Sequence, residues 1–394
     1  MPARELSPGI HWVGAIDWDR RLFDELIPLP DGTTYNAYVV RGSETVALLD
    51  AVDPTKEEFL LENLRGLGID RLDYLIAHHA EQDHSGAIPE IIRLYPKSKV
   101  ICTPKCKGLL TALLNVPDDR VLAVEDSQTI SLGSRTLEFI HAPWVHWPET
   151  MLTYLREDKA LFPCDLFGSH LAQSDLYAND EAKAYESAKR YYAEIMMPFR
   201  EHIRKHLERL SKYDIQLICP SHGPIYRRPS LILDAYRDWT SDRMKKEVVL
   251  AYVSMHGSTQ AMVKHLVSAL ISRGITVKPF NLSRTDIGEL AMSLVDASMV
   301  VVGTPTVLGS AHPLAVYAAY LTNALRPKAR LATVIGSYGW GGRAVEQIAG
   351  MLTNLRVEVI EPIYVKGFPT EEDLKNLDAL ADAIVRKHEE HGIG

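Results

Sequence analysis

The chain has 394 residues, 46% apolar and 24% charged, with 43 basic against 51 acidic side chains and a formal net charge of −8. At roughly 150 residues per domain this length holds two or three domains, and the ordinary composition excludes disordered, collagen-like and coiled-coil architectures for its bulk. The acidic balance argues against a nucleic-acid partner, which needs a basic footprint, and against adhesion to anionic membranes.

The N-terminus, Met1-Pro2-Ala3-Arg4-Glu5, opens no apolar signal-peptide core. Residues 34–40 and 45–49 are β-branched or aromatic runs around a turn at Gly42 and predict two strands. Residues 72–77 predict another strand, which runs straight into His78-His79-Ala80-Glu81-Gln82-Asp83-His84-Ser85-Gly86. Residues 121–140 predict strands broken at Asp126-Ser127 and Gly133-Ser134, and 181–196 predict a long helix ahead of Pro198. The polar stretch 237–246 reads as a linker, which puts one domain at 1–246 and a second at 247–394. From there strands at 248–253, 276–280, 298–302 and 331–336 alternate with helices at 260–273, 344–355 and 371–388. Such alternation predicts a doubly wound parallel sheet. The most apolar stretches, such as 299–302, fall far short of the roughly 20 residues of a membrane span. The four cysteines, Cys102, Cys106, Cys164 and Cys219, form no Cys-x-x-Cys pair, so neither a rubredoxin nor a zinc-ribbon site is expected, and a cytoplasmic location is.

Four metal-ligating side chains, His79, Glu81, Asp83 and His84, fall within six residues at a strand end. In an extended segment alternate side chains share a face, so His79, Glu81 and Asp83 converge and His84 is left for a second ion. His78 would point the other way and reads as structural. Two acids and two histidines packed together bring no structural benefit, because buried unpaired charge is costly. His146 before Trp147-Pro148, Asp165 after Phe162-Pro163-Cys164, and His222 within Pro220-Ser221-His222-Gly223 each sit in a turn-like context. Any one alone would pass for a loop residue. Together the seven make a set for two metals, which a carboxylate such as Asp165 can bridge while positions stay open to substrate.

The strand at 248–253 ends in Ser254-Met255-His256-Gly257-Ser258-Thr259, just ahead of a helix. Hydroxyls and N–H groups at a helix N-terminus make an anion site. Neither GxxxxGK[ST] nor GxGxxG occurs in this turn, which disfavours a nucleotide triphosphatase and a dinucleotide-binding fold. A lysine-free loop suits the monophosphate of FMN. Two further loops leave strand ends where a ring would lie. They are Gly303-Thr304-Pro305-Thr306-Val307-Leu308-Gly309 and Gly336-Ser337-Tyr338-Gly339-Trp340-Gly341-Gly342, in which Tyr338 and Trp340 offer aromatic surface. The candidate flavin contacts are Ser254, Met255, His256, Gly257, Ser258 and Thr259, then Thr304, Pro305 and Thr306, then Ser337, Tyr338, Gly339, Trp340 and Gly341. Loops of this composition follow many α/β strands without binding anything; three in this order carry the reading.

The first constellation resembles the metallo-β-lactamase superfamily, whose signature is HxHxDH followed by a His, an Asp and a last His. Here Glu81 replaces the second histidine, so the set becomes three carboxylates and four imidazoles, which suits iron or manganese better than zinc. With the flavodoxin-like second half, nearly the whole chain resembles the flavodiiron proteins, also called A-type flavoproteins. The resemblance runs through Asp17-Trp18, Gly32-Thr33-Thr34-Tyr35-Asn36-Ala37-Tyr38, the His79 cluster, His146-Trp147-Pro148, Asp165, Tyr191-Tyr192-Ala193, Pro220-Ser221-His222-Gly223 and Tyr338-Gly339-Trp340-Gly341. It implies an αββα sandwich followed by a flavodoxin-like domain, with FMN and a non-haem diiron site as cofactors. It implies that His79, Glu81 and His146 hold one iron and Asp83, His84 and His222 the other, with Asp165 bridging and His84 either coordinating or turned away. It implies reduction of dioxygen to water, of nitric oxide to nitrous oxide, or of both. The implied assembly is a head-to-tail homodimer, or a dimer of dimers, in which one subunit's FMN faces the other's irons. With no rubredoxin fused to the chain, electrons would come from a separate carrier such as rubredoxin or a reduced deazaflavin. Three positions depart from the family: Met255-His256-Gly257 where a Trp is common, Val307-Leu308 where an Asn often follows Pro-Thr, and Asp24 where a His is common near the substrate pocket. The alternatives are a zinc-type or mixed-metal metallo-hydrolase with an accessory flavodoxin-like domain, and an electron carrier or binding module whose metal domain is inert.

Overall fold

The computed structural model describes residues 2–393, which fall into two units: the chain up to Tyr192 with Phe199–Thr240, and Ala193–Pro198 with everything from Ser241 onward. In the first unit two sheets face each other. One has seven strands in the order Arg4–Ser7, Ile10–Trp12, Tyr38–Arg41, Val46–Leu49, Tyr74–Ile76, Lys99–Cys102 and Val121–Ala123. The other has five: Thr129–Ser131, Thr136–His141, Met151–Leu155, Ala160–Phe162 and Leu217–Ile218. Between them Trp12, Tyr38, Val40, Leu49 and Ile76 of the first sheet pack with Leu137, Phe139, Met151, Leu155 and Phe162 of the second. The residues alternating with these, Val39, Leu48, Leu75 and Val100, bury themselves under helices Glu57–Gly66, Ile88–Leu94 and Pro104–Leu114 through Leu60, Leu64, Ile91 and Leu110. Strands covered on both faces read as unbroken apolar runs, which is why 46–49 and 74–76 carry no polar alternation. Helix Arg200–Leu210 lies on the five-stranded side, where Arg209 donates to the His141 carbonyl at 3.3 Å and to Asp126 at 2.8 Å. The layers are therefore αββα.

Strands Val46–Leu49, Tyr74–Ile76 and Lys99–Cys102 run parallel, so their C-terminal ends share one edge. In the facing sheet Thr136–His141, Ala160–Phe162 and Leu217–Ile218 also run one way, because the antiparallel Met151–Leu155 lies between the first two. The Met151 N–H donates to the His78 carbonyl at 2.9 Å and ties the two edges together. Every histidine and acid of the first constellation lies in a loop leaving this edge.

In the second unit a parallel sheet has the order Thr276–Asn281, Lys245–Tyr252, Ala297–Val307, Leu331–Tyr338, with Glu358–Val359 and Ile363–Lys366 both pairing to the last of these. The order reverses about the first strand, as the alternating pattern predicts for a doubly wound sheet. Helices Ser258–Ser272 and Glu371–Glu390 bury Leu266, Leu270, Leu377 and Ile384 against Leu250, Val301 and Ile335.

Several local readings need correction. The polar stretch 237–246 is mostly not a linker. Helix Ser230–Thr240 runs to Thr240, with Trp239 and Thr240 buried and Arg237 paired to Asp234 at 2.6 Å, and the next strand begins at Lys245, whose ammonium meets Asp296 at 2.8 Å. Arg237, Asp238, Lys245 and Lys246 belong to those two elements, and only Asp242 and Arg243 fall in the connection, at whose start, Ser241, the second unit's main segment begins. The expected strand at 34–40 breaks at Asn36-Ala37 into Thr33–Tyr35 and Tyr38–Arg41. The expected helix at 181–196 is α-helical only over Glu181–Tyr191 and ends in a π turn over Tyr192–Met196. Among the described residues no helix is long and apolar enough to cross a membrane.

Candidate metal centre and flavin cleft

The metal candidates do not lie on an extended segment as the alternation argument supposed. After Glu81 the chain enters one helical turn, Gln82–Ser85, which turns Asp83 and His84 to the same side. His79 and Glu81 meet His146 and one oxygen of Asp165. His146 Nε2 is 3.1 Å from Glu81 Oε2 and 3.4 Å from Asp165 Oδ2, and His79 Nε2 is 3.3 Å from Asp165 Oδ2. Asp83, His84 and His222 meet the other oxygen. His84 Nε2 is 2.9 Å and His222 Nε2 3.4 Å from Asp165 Oδ1, while Asp83 Oδ2 is 3.3 Å and 3.1 Å from the same two nitrogens. Asp165 thus divides its two oxygens between two sets of side chains.

These separations test the fit of a metal pair. Ligand atoms about 2.1 Å from one ion stand about 3.0 Å apart at right angles and about 3.4 Å apart in a tetrahedron, and the seven spacings span 2.9–3.4 Å. Both ring nitrogens of His79, both oxygens of Asp83 and Asp165 Oδ2 are buried without a hydrogen-bond partner. Such orphaned groups cost about 1–3 kcal/mol each, and a cation in each set would satisfy the three that face the sets, His79 Nε2, Asp83 Oδ2 and Asp165 Oδ2. Cys164 Sγ also lies near His79, His84 and Asp165. Burial, with Asp50 and Asp165 beside it, pushes its thiol well above the usual range, so it remains a neutral neighbour.

Burial acts to lower the pKa of His84, but Asp83 and Asp165 override it and push His84 up to about 10. Burial likewise opposes charge on His146, and Asp165 and Glu81 raise it to about 10. Asp83 is held down at about 2 despite burial, by His84 and His222. On His79 burial wins, and its pKa falls.

The support around these side chains was only partly foreseen. His222 donates from Nδ1 to the Thr34 carbonyl at 2.6 Å, which fixes its tautomer and leaves Nε2 facing Asp83 and Asp165. The Asn36 amide donates to the carbonyls of Pro220 and Gly223 at 2.9 and 2.8 Å and accepts from Trp12 Nε1 at 2.8 Å, so the break in the expected 34–40 strand braces the His222 turn. Gly223 has φ +76°, and a Cβ there would meet Ser169 Oγ at 2.1 Å. His78 does turn away from the cluster. It pairs Nδ1 with Asp50 at 2.7 Å and Nε2 with Thr153 at 2.8 Å, and Ser221 donates to the same Asp50 carboxylate. Asp50, with φ +56°, was not singled out from the sequence, since it lies far from the cluster and in no motif. His170 was missed for the same reason. Its ring lies 5.0 Å from that of His222 and its Nδ1 2.9 Å from Thr33 Oγ1.

Glu81 and Asp83 also line an open cavity with Phe23, Asp24, Leu113 and Trp147. Asp24 faces them there with its carboxyl pushed up to about 6, by partial burial first and by Glu81 and Asp83 after it.

In the second unit a separate cleft opens at the C-terminal ends of Lys245–Tyr252, Ala297–Val307 and Leu331–Tyr338. It is lined by Ser254, Met255, His256, Ser258, Thr259, Pro305, Thr306, Ser337, Tyr338 and Gly339, together with Gly367, which sequence reasoning did not name. Gly257 has φ +93° and starts helix Ser258–Ser272, whose first-turn N–H groups have no acceptor within the helix. Ser254 Oγ accepts from the N–H groups of Gly257 and Gln260 and holds the loop shut around them. Thr304 Oγ1 is taken by the Pro305 carbonyl and the His312 N–H, so its side chain belongs to the turn. Trp340 is 73% exposed and, like Gly341, is not among the lining residues. Tyr338 stacks on Tyr364 at 5.6 Å, and Tyr364 reaches Thr306 Oγ1 at 2.7 Å, so the ring wall is itself braced.

The family described as ODP family beta lactamase matches residues 33–223, and the flavodoxin family matches residues 250–379. The chain is 37% identical over 391 residues to the nitric oxide reductase of Moorella thermoacetica, covering 97% of this chain and 98% of that one. It is 32% identical over 387 residues to the coenzyme F420H(2) oxidase of Methanothermobacter marburgensis, covering 94% and 95%. The solved rubredoxin oxygen:oxidoreductase of Desulfovibrio gigas superposes with a TM-score of 0.94 at 30% identity, over 98% of both chains. The flavodiiron protein of Giardia intestinalis superposes at 0.90 with 29% identity, also over 98% of both. Oxidoreductase names recur among these proteins, and they favour redox chemistry over the hydrolase alternative. End-to-end similarity of both sequence and fold makes this chain a member of the flavodiiron, or A-type flavoprotein, family.

Proposed function

We propose that this oxidoreductase reduces dioxygen to water, nitric oxide to nitrous oxide, or both, at a pair of irons in the first unit, with FMN in the second unit as its electron store. The observation that carries this reading is the division of Asp165 between two ligand sets. His79, Glu81 and His146 would hold one iron, and Asp83, His84 and His222 the other. When bound, two ferrous ions and a reduced flavin supply the four electrons that take one dioxygen to two waters, or the two that couple two nitric oxides.

The chain's own part is to hold, neutralise and shield. Three carboxylates offset the charge of two divalent ions more fully than a histidine-rich set, which favours iron over zinc. Phe23, Leu113 and Trp147 give apolar surface to a cavity whose other lining is mostly polar or charged, with Arg20, Asp24, Asp53, Glu81 and Asp83. Asp24 lines that cavity beside Glu81 and Asp83, half-buried, which places a carboxyl between solvent and the ligand sets where it can pass a proton inward. Electrons would arrive from a separate donor, rubredoxin or a reduced deazaflavin; relatives are named for rubredoxin and for coenzyme F420H(2). The two cofactor sites lie on separate units, which supports a head-to-tail dimer as the working form, in the cytoplasm.

The test is anaerobic stopped flow on iron-reconstituted, fully reduced protein mixed with dioxygen or with nitric oxide. Fast flavin reoxidation with about four electrons consumed per dioxygen identifies an oxygen reductase. Fast reaction with nitric oxide alone identifies a nitric oxide reductase. Loss of neither gas sinks the reading.

A further inference from the structure

Cys164 sits at the metal centre without a part in either ligand set. It precedes the shared Asp165, has φ +54° and is buried. Its sulfur, one ring nitrogen each of His79 and His84, and a carboxylate oxygen of Asp165 all lie within 4.8 Å of one another. The sulfur also lies near Asp50 and His78, but those two are committed: they pair at 2.7 Å, and His78 Nε2 meets Thr153 at 2.8 Å. The unpartnered groups belong to the other three residues. Both ring nitrogens of His79, His84 Nδ1 and Asp165 Oδ2 are buried with no hydrogen-bond partner. The four donors also differ in kind from either ligand set. A thiolate, two imidazoles and one carboxylate suit a borderline-soft tetrahedral ion, which is zinc rather than iron. Around zinc a thiolate at about 2.3 Å and an imidazole at about 2.1 Å stand about 3.6 Å apart, so atoms spread over 4.8 Å need to draw in by at most about 1.2 Å. Thiolate and carboxylate together cancel the ion's two charges, as a buried position requires. The side chains left over already pair, Glu81 with His146 and Asp83 with His222, each at 3.1 Å.

We propose that Cys164, His79, His84 and Asp165 form an alternative site for one zinc ion, exclusive of the metal pair. On binding, the thiol proton leaves to solvent and the sulfur bonds the ion; no electrons move. One such ion takes His79 from the first set, His84 from the second and Asp165 from both. A site closed by four protein ligands keeps no open position, so zinc here shuts the centre to small-molecule substrates. Zinc also binds such donors more tightly than ferrous ion does, so the supply of free zinc sets how much of the protein can carry the pair. The exclusion rests on the metal-pair reading above; the thiolate site itself does not.

The experiment is titration of full-length, metal-stripped protein with cobalt(II), a spectroscopic stand-in for zinc, and with zinc itself in competition with a chelating dye. The first equivalent of cobalt is expected to give a thiolate-to-cobalt charge-transfer band in the near ultraviolet, which an equivalent of zinc abolishes. Cys164→Ser and Cys164→Ala should lack the band, bind zinc about 100-fold more weakly and still take up two ferrous ions per chain. A wild-type cobalt complex without the band, a band that survives in Cys164→Ser, or equal zinc affinity in wild type and variants would each overturn the inference. The wild-type spectrum decides the matter even where a variant does not fold. Failure of wild type and variants alike to take up two ferrous ions, with the band present in wild type, would overturn the metal-pair reading and leave the thiolate site standing.

Discussion

At the residue scale, the metal centre is a place where negative charge is collected ahead of its counterions. Asp165 contacts four imidazoles through two oxygens, and Asp83 and Glu81 add two more carboxylates. This explains why His84 and His146 are pushed up to about 10, which leaves both as imidazolium at pH 7 without metal. A ligating imidazole must be neutral, so each proton must leave as a cation enters. Metal uptake at pH 7.5 is therefore expected to release protons, measurable with an indicator dye in weak buffer. Affinity should rise with pH by about tenfold per pH unit for each proton displaced, up to about pH 10. Uptake without proton release would show that these two histidines do not take up the ions. Asp165→Asn removes the shared anion, and metal analysis should find both ions lost; retention of one would show that the two sets are filled independently.

At the element scale, the site depends on turns at strand ends. The Asn36 break in the expected strand ties Trp12 to the Pro220–Gly223 turn through three buried hydrogen bonds. Asn36→Ala leaves the Trp12 N–H and the Gly223 carbonyl unpaired, while the Pro220 carbonyl keeps the Tyr38 hydroxyl at 2.8 Å, and the expected cost is about 2–4 kcal/mol because two buried groups are stranded. Denaturant unfolding of the metal-free protein would measure it. The same variant should weaken metal binding, because His222 rides on that turn. A loss under about 0.5 kcal/mol, the range of an indifferent surface change, would mean that the turn is held by other contacts. His79–His84 illustrates the opposite case. There the cluster was legible because chemistry was concentrated in one short segment, but its shape was not, since Gln82–Ser85 adopts a helical turn where alternation assumed an extended strand.

At the scale of the whole molecule, the flavin cleft and the metal centre lie on different units of one chain. A head-to-tail dimer predicts complementation. Asp165→Asn is expected to abolish metal binding and Ser258→Asp to repel the phosphate, and each variant alone should be inactive. After subunit exchange, a mixed dimer retains one sound flavin facing one sound metal centre, so about a quarter of wild-type activity should return. No recovery in a mixture shown by mass to contain hetero-oligomers would mean that electrons pass within each chain.

What the amino-acid sequence by itself determined was the chemistry and the class of fold. The β-branched runs at 299–302 and 331–336 predict buried parallel strands because few other arrangements bury so continuous an apolar stretch. Two acids and two histidines within six residues, with Glu81 in place of a histidine, already point to a carboxylate-rich metal pair. Only the tertiary structure decided which side chains meet. His146, Asp165 and His222 are far apart in sequence and share no local pattern with the His79 cluster; parallel strands bring them to one edge of two facing sheets. The same holds for Asp50, His170 and Asn36, whose roles rest on partners 24 to 187 residues away. A motif records residues that one short segment must supply together, whereas support across a sheet edge is drawn from whichever chain segment the topology brings near.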